Sequence, residues 1–227
     1  MPPPEPCART WGLATFSLSD ARLQLAPEML DACRSVSLRL GGPRLNRVGV
    51  TSAIRGEGRS TIAQALALIQ ATDYRRQVIL VEMDLENPTM ATRLRLSRQP
   101  GLAQLAQGVN SLDDVLHPAG PRLAVITAGA LLPDSEGTIL DLLSAGVLQT
   151  IQAAADVLVI DLPPLLASSY GRRAAEVCEH LVMVVRAGIT PLTQVREAIE
   201  TVSPAPALLL NGVHSSLPRW MRTLLSV

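Results

Sequence analysis

Residues 48–62 constrain the fold of this 227-residue chain more than any other stretch. Val48, Val50 and Thr51 form a short β-branched run, and Thr61 to Ile69 carries apolar residues at helical spacing. Between them, Ala53, the four residues from Ile54 to Glu57, then Gly58, Arg59 and Ser60 fill the pattern of a phosphate-binding loop. One place is exchanged: Arg59 stands where that pattern has lysine. A plain glycine-containing turn is the alternative reading. The coincidence of strand, two glycines, Ser60-Thr61 and helix favours the phosphate loop.

The chemistry follows from the residue types. Gly56 and Gly58 let the backbone turn its N–H groups inward around an anion, and a helix opening at Ser60 aims its positive end at the same place. Ser60 also offers a hydroxyl to a magnesium ion. Arg59 alters the balance, because guanidinium is planar, longer than an ammonium group and suited to a bidentate grip. Binding can survive that exchange while phosphoryl transfer slows. All 20 basic residues of the chain are arginine, so drift of lysine codons in a GC-rich genome explains Arg59 as well as selected inactivation does.

Composition narrows the alternatives. With 48% apolar residues the chain can fill one sizeable α/β core. A formal net charge of zero and 2% aromatic residues give neither a broad basic surface nor a ladder of rings, so no nucleic-acid partner is expected. Cys7, Cys33 and Cys178 are scattered without metal or disulfide spacing, and His117, His180 and His214 are equally dispersed. The start, Met-Pro-Pro-Pro-Glu-Pro, does not read as a signal peptide, and apolar runs such as 153–160 fall short of the roughly 20 residues of a membrane helix. A cytoplasmic protein is expected.

Along the chain, residues 1–26 read as a flexible proline-rich N-terminal arm, and residues 27–227 as the P-loop domain. Pro27 to Leu40 predicts a helix with proline in its first turn. Strand-length apolar runs then recur at Val48–Thr51, Gln77–Val81, Leu123–Thr127, Val157–Ile160, Leu181–Val185 and Ala207–Leu210, most of them separated by helical patterns. This alternation predicts a three-layer α/β fold, a mostly parallel sheet with helices on both faces and ligands at the carboxyl ends of the strands. Two of those ends carry acids: Glu82 and Asp84 after the second run, Asp161 after the fourth. Acids there serve equally as helix caps, but three beside a phosphate loop suit magnesium, which prefers oxygen ligands.

These residues resemble a known family. Gly56-Glu-Gly-Arg-Ser-Thr61 is similar to Gly-Glu-Gly-Lys-Ser-Thr of the bacterial tyrosine kinases (BY-kinases) of capsule and exopolysaccharide assembly, in their CpsD/CapB or Wzc-cytoplasmic-domain form. These belong to the P-loop ATPases that include MinD and ParA. Val78 to Pro88 resembles the family's second acidic motif, and Val157-Leu-Val-Ile-Asp-Leu-Pro-Pro164 its Asp-Thr-Pro-Pro strand end. Gly101 to Gly108, Ser111 to Asp114 and Val184 to Thr190 match in order and spacing.

The resemblance implies ATP or ADP with Mg2+ as cofactors. It places Ala53, Arg55, Gly56, Glu57, Gly58, Arg59, Ser60 and Thr61 around the phosphates, and Arg186 and Asn211 where the nucleotide pocket is completed. Ser60, Asp84 and Asp161 would hold the metal. Arg59, Glu82, Asp84 and Asp161 form the implied catalytic set, Glu82 and Asp84 positioning metal and attacking hydroxyl. A transmembrane polysaccharide co-polymerase (chain-length regulator) is the implied activating partner. It would hold the protein at the inner membrane, and a homo-oligomer is the further implication.

Four departures stand against the pattern. Lysine is Arg59, and the first acid of the acidic motif is the longer Glu82. The family's Glu-x-x-Arg-x-x-Arg assembly motif is reduced to Asp31-Ala-Cys-Arg34-Ser-Val-Ser37. The C-terminal tyrosine cluster is missing: the only tyrosines are Tyr74 and Tyr170, and the tail from Pro218 reads as a short helix packing Trp220 and Leu224. Two functions stay open: a slow ATPase of tyrosine-kinase type, and a catalytically degenerate partner that regulates the co-polymerase. A ParA-like partitioning ATPase is a third, disfavoured by the neutral charge.

Overall fold

The computed structural model describes residues 25–130 and 135–213. The expected N-terminal arm, apart from Leu25 and Ala26, and the expected C-terminal helix lie outside the described residues. In chain order the elements are α1 (Pro27–Arg39), β1 (Arg47–Ser52), α2 (Arg59–Thr72), β2 (Val78–Glu82), α3 (Met90–Leu94), α4 (Leu102–Ala106), α5 (Leu112–Val115), β3 (His117–Gly120) and β4 (Leu123–Ile126). They continue with α6 (Ser135–Leu143), α7 (Ala145–Gln152), β5 (Val157–Asp161), α8 (Gly171–Glu176), β6 (His180–Arg186), α9 (Leu192–Glu200) and β7 (Ala207–Asn211).

Seven strands form one sheet in the order β3-β4-β2-β5-β1-β6-β7. All pairs are parallel except β3 with β4. The six apolar runs of the sequence are the six parallel strands. The seventh, β3, carries His117 and Pro118 and has no apolar run to announce it. It pairs antiparallel at the edge with a register shift at Pro118, where a residue lacking an N–H is tolerated.

Strand periodicity builds two cores, one on each face. Val48, Val50, Val78, Leu80, Val157, Val159, Val182 and Val184 pack with Leu30, Cys33, Ile62, Leu66 and Ile69 of α1 and α2. Their alternates, Ile79, Val81, Leu158, Ile160, Leu181 and Met183, pack with Leu102, Leu142, Leu148, Ile151 and Ala198. Because both faces are covered, the strands read as unbroken apolar runs and not as an alternation. Gly49 belongs to the second face, where a Cβ would come 2.5 Å from Leu162 Cδ1 and 2.6 Å from Cys178 Sγ. Among the described residues no helix is long and apolar enough to cross a membrane.

Sheet order places the loop and the acids together. β1, which leads into the loop, lies between β5 and β6; β5 in turn borders β2. In register, Asp161 stands opposite Val50 on one side and Glu82 on the other. Arg186 and Asn211, the last residues of β6 and β7, are likewise paired.

Candidate nucleotide site

The loop after β1 takes the conformation its glycines allow. Gly56 and Gly58 have φ of +83° and +97°, in the left-handed region. Gly58 is required on a second count: a Cβ there would lie 2.3 Å from Asn211 Nδ2. That same amide donates to Glu57 O at 2.8 Å. Helix α2 starts at Arg59, so its unpaired N–H groups open onto the loop.

Glu57 is buried and fastens the loop from behind. Its Oε2 accepts from Ile54 N at 3.0 Å, and its Oε1 from Arg186 N at 3.1 Å and from the Thr190 hydroxyl. The Arg186 side chain donates from Nη1 to Gly56 O at 3.4 Å. Glu57, Arg186 and Asn211 therefore shape the loop backbone, with their described contacts on the protein side.

A cleft of about 320 Å³ opens over the loop, lined by Arg55, Gly56, Gly58, Arg59, Ser60, Glu82, Asp84, Asn87, Thr89, Arg93 and Asp161. Arg59, Glu82, Asp84 and Asp161, the four residues of the implied catalytic set, thus meet in one place. Ala53 is wholly buried beneath it. Thr61 faces the rim, where its hydroxyl accepts from Arg93 Nη2 at 2.8 Å. Sequence spacing does not single out Arg93; only the chain reversal at Asn87-Pro88-Thr89 brings it back over the loop.

The acids are in three different states. Glu82 is held by three backbone amides: Oε1 accepts from Thr89 N at 2.6 Å and Met90 N at 2.7 Å, and Oε2 from Ala128 N at 3.1 Å. Burial raises its carboxyl above the ordinary glutamate range against the pull of those three amides. Its extra methylene lets it reach the turn entering α3. Asp84 is also satisfied, with Oδ2 2.8 Å from Arg59 Nη2 and Oδ1 accepting from Asn87 N at 3.0 Å. Asp161 is wholly buried, and its Oδ1 has no hydrogen-bond partner. Burial pushes its carboxyl up to about 7, with the Arg59 charge and a hydrogen bond from Ser60 acting the other way.

Arg59 lies across the ends of β2 and β5. Besides Asp84, its guanidinium donates from Nη1 to the carbonyl of Leu162, the residue after Asp161, and its side chain is only 10% exposed. Arg55 flanks it, 3.9 Å from Asp84, and anchors on Glu86 at 3.1 Å and the Ala167 carbonyl at 3.0 Å. Tyr170 is buried behind the acids, donating to Met83 O and accepting from Leu85 N, both at 2.7 Å.

Whether these residues fit a nucleotide and a metal differs group by group. The positive-φ glycines, the open start of α2 and the arginine rim suit polyphosphate oxygens. For magnesium, Asp161 Oδ1 and Ser60 supply free oxygen donors, while Asp84 is already held by Arg59. Among the described residues no three His, Cys, Asp or Glu side chains gather as a ligand group. Magnesium commonly takes one or two carboxylates and keeps its remaining waters.

No protein-family model matches the chain. It is 29% identical over 175 residues to tyrosine-protein kinase YwqD of Bacillus subtilis, covering 75% of this chain and 72% of that one. It is 25% identical over 171 residues to succinoglycan biosynthesis transport protein ExoP of Rhizobium meliloti, covering 71% of this chain and 21% of that one. Among solved structures it aligns with the kinase domain of VpsO at a TM-score of 0.70 and 28% identity, over 87% of this chain and all of that one. A ParA family ATPase from Chlorobium tepidum shares the fold, with a TM-score of 0.58 and 18% identity over 73% of this chain and 74% of that one. By sequence the chain is similar to bacterial tyrosine-protein kinases, and its fold is the one that the VpsO kinase domain and a ParA family ATPase share.

Proposed function

We propose that the chain is a nucleotide-binding P-loop protein of BY-kinase type that works in exopolysaccharide or capsule export. The observation that carries this is the loop itself: two positive-φ glycines, a buried glutamate bonded to the loop amide of Ile54, and three arginines lining one cleft. The naming of relatives as tyrosine-protein kinases and of ExoP as a succinoglycan biosynthesis transport protein supports the setting. In this reading the amides from Gly56 to Ser60 bind the phosphates of ATP or ADP, and Arg55 and Arg93 neutralise their outer oxygens; of the implied metal residues Ser60, Asp84 and Asp161, only Ser60 and Asp161 have oxygens that could hold Mg2+ without displacing Arg59. ATP would supply the transferable phosphoryl group. Glu82 positions the turn carrying Thr89 and the helix carrying Arg93.

The regulatory reading has its own support. Arg59 holds Asp84, and Tyr170, the last tyrosine in the chain, is buried with its hydroxyl doubly engaged. Both features argue for slow or absent transfer, with nucleotide state signalled to a transmembrane polysaccharide co-polymerase through docking at the inner membrane. Incubation with labelled ATP, with and without membranes containing the co-polymerase, separates the two. Phosphotyrosine on the protein or partner supports the kinase, whereas nucleotide-dependent co-purification without label supports the regulator. A protein that neither labels nor associates with membranes, and whose deletion leaves polymer export unchanged, removes the polysaccharide assignment.

A further inference from the structure

The cleft has one feature that the loop pattern does not call for: a permanent cation already seated on the acids. Arg59 Nη2 lies 2.8 Å from Asp84 Oδ2, and Nη1 donates to the carbonyl of Leu162, so the guanidinium spans the ends of β2 and β5 where Asp84 and Asp161 converge. It is fixed at both ends and nearly closed to water, with side-chain exposure of 10% against 4% for Asp84. On its other side Asp84 Oδ1 accepts from Asn87 N at 3.0 Å, so each of its oxygens already has a partner. A dication on Asp84 would have to displace a guanidinium that never loses its charge, or else stand against it.

The phosphate charge has other partners. Arg55 stands on the Asp84 side of the cleft mouth and Arg93 over Thr61, both lining the same cleft as Gly56 and Gly58. Guanidinium forks match phosphate oxygens bidentately, and several converging on one anion can neutralise a diphosphate without a metal.

We infer that Arg59 replaces the divalent cation of this site, so that the loop binds nucleoside diphosphates and triphosphates independently of magnesium. The inference rests on the nucleotide reading above and changes its terms: Asp84 serves as an anchor for Arg59, and the bound nucleotide is retained as a ligand with its phosphates held by arginines.

The test is ADP affinity for the full chain in EDTA and in millimolar magnesium chloride, read by displacement of a fluorescent ADP analogue, for the wild type and for Arg59→Lys. Wild-type Kd is expected to change by less than about threefold between the buffers. The lysine variant, whose shorter, compact ammonium releases Asp84, is expected to gain at least about tenfold on adding magnesium. Electron paramagnetic resonance of Mn2+ added to the wild-type protein with ADP gives a readout that does not depend on the variant folding. No protein-bound Mn2+ is expected. Wild-type binding that requires magnesium, or a stoichiometric protein–Mn2+–ADP complex, overturns the inference and leaves the nucleotide site standing. Absence of ADP binding in both buffers overturns the nucleotide site and the inference together.

Discussion

Arg59 and Asp84 form an ion pair at 2.8 Å at the base of the cleft, with both side chains almost removed from water. Taking two charges out of water costs several kcal/mol each, and only their mutual attraction and further hydrogen bonds offset it. Asp84→Ala leaves the guanidinium buried with the Leu162 carbonyl as its remaining strong partner. The expected loss is about 3 kcal/mol in urea unfolding. The double variant Arg59→Met, Asp84→Leu should recover most of it, because the lone charge and not the missing pair is what destabilises. Equal losses in the single and double variants would refute that account.

Glu57 is the residue that gives the loop its shape. Glu57→Ala removes the acceptor for Ile54 N and the Thr190 hydroxyl and leaves Arg186 N only the Thr190 oxygen at 3.2 Å, in a site where Glu57 itself is buried. Unsatisfied buried donors cost about 1–3 kcal/mol each when they find no substitute. The variant should lose roughly 2 kcal/mol or more, and amide exchange at Ile54 and Arg186 should accelerate well beyond that of the β2 and β5 strands. Unchanged exchange at those two amides would show that the loop holds its form without Glu57.

Asp161 makes stability depend on pH in a direction opposite to most carboxylates. Its native pKa is raised by burial to about 7 from the ordinary 3.8, with Arg59 and Ser60 resisting the rise and Glu82 and Asp84 adding to it. Between about pH 4 and pH 7 the native state therefore holds a proton that the unfolded chain releases. This contribution is fully present below pH 4, is lost as pH rises at up to about 1.4 kcal/mol per pH unit, and is flat above pH 7. Asp161→Asn removes the ionisation. Its stability relative to wild type should rise from pH 4.5 to pH 8, as read from urea midpoints, and a difference independent of pH would contradict the assignment.

Tyr170 ties the turn after β2 to the start of α8 through Met83 O and Leu85 N. Burial raises the phenol well above its ordinary value. Tyr170→Phe is expected to cost about 1 kcal/mol, since the Met83 carbonyl loses the phenol donor and Leu85 N keeps only its 3.0 Å bond to that same carbonyl. Mass spectrometry of the native protein after incubation with ATP should find Tyr170 unmodified. A substantial phosphotyrosine signal there would mean that this segment opens far more readily than its packing implies.

What the sequence discloses and what it hides follow from the range of the interactions. β1, the loop and α2 are local, and glycine positions, β-branching and helical spacing specify them within 25 residues. The six parallel strands are equally legible, because strands buried on both faces carry unbroken apolar runs. The edge strand at His117–Gly120 is not, since its pairing comes from β4 and its own residues have no strand pattern. In the cleft, the meeting of Glu82, Asp84 and Asp161 with the loop is readable from strand ends. Their different states are not: Glu82 is consumed by amides at Thr89, Met90 and Ala128, and the last is 46 residues away. Arg93 and the fastening of Glu57 to Arg186 and Thr190 are hidden for the same reason, since the contact from Glu57 to Thr190 spans 133 residues.

The central claim is that the loop from Ala53 to Thr61 is a working nucleotide site, and calorimetric titration of ADP into wild type and Gly58→Ala tests it most directly. Alanine at Gly58 meets a left-handed φ of +97° and puts a Cβ 2.3 Å from Asn211 Nδ2, so the loop cannot keep its form while the sheet beneath it can. The account predicts saturable binding to wild type and at least a tenfold loss in the variant, with far-ultraviolet circular dichroism unchanged. No heat of binding to wild type at millimolar ADP, or equal affinity in the two proteins, would contradict it.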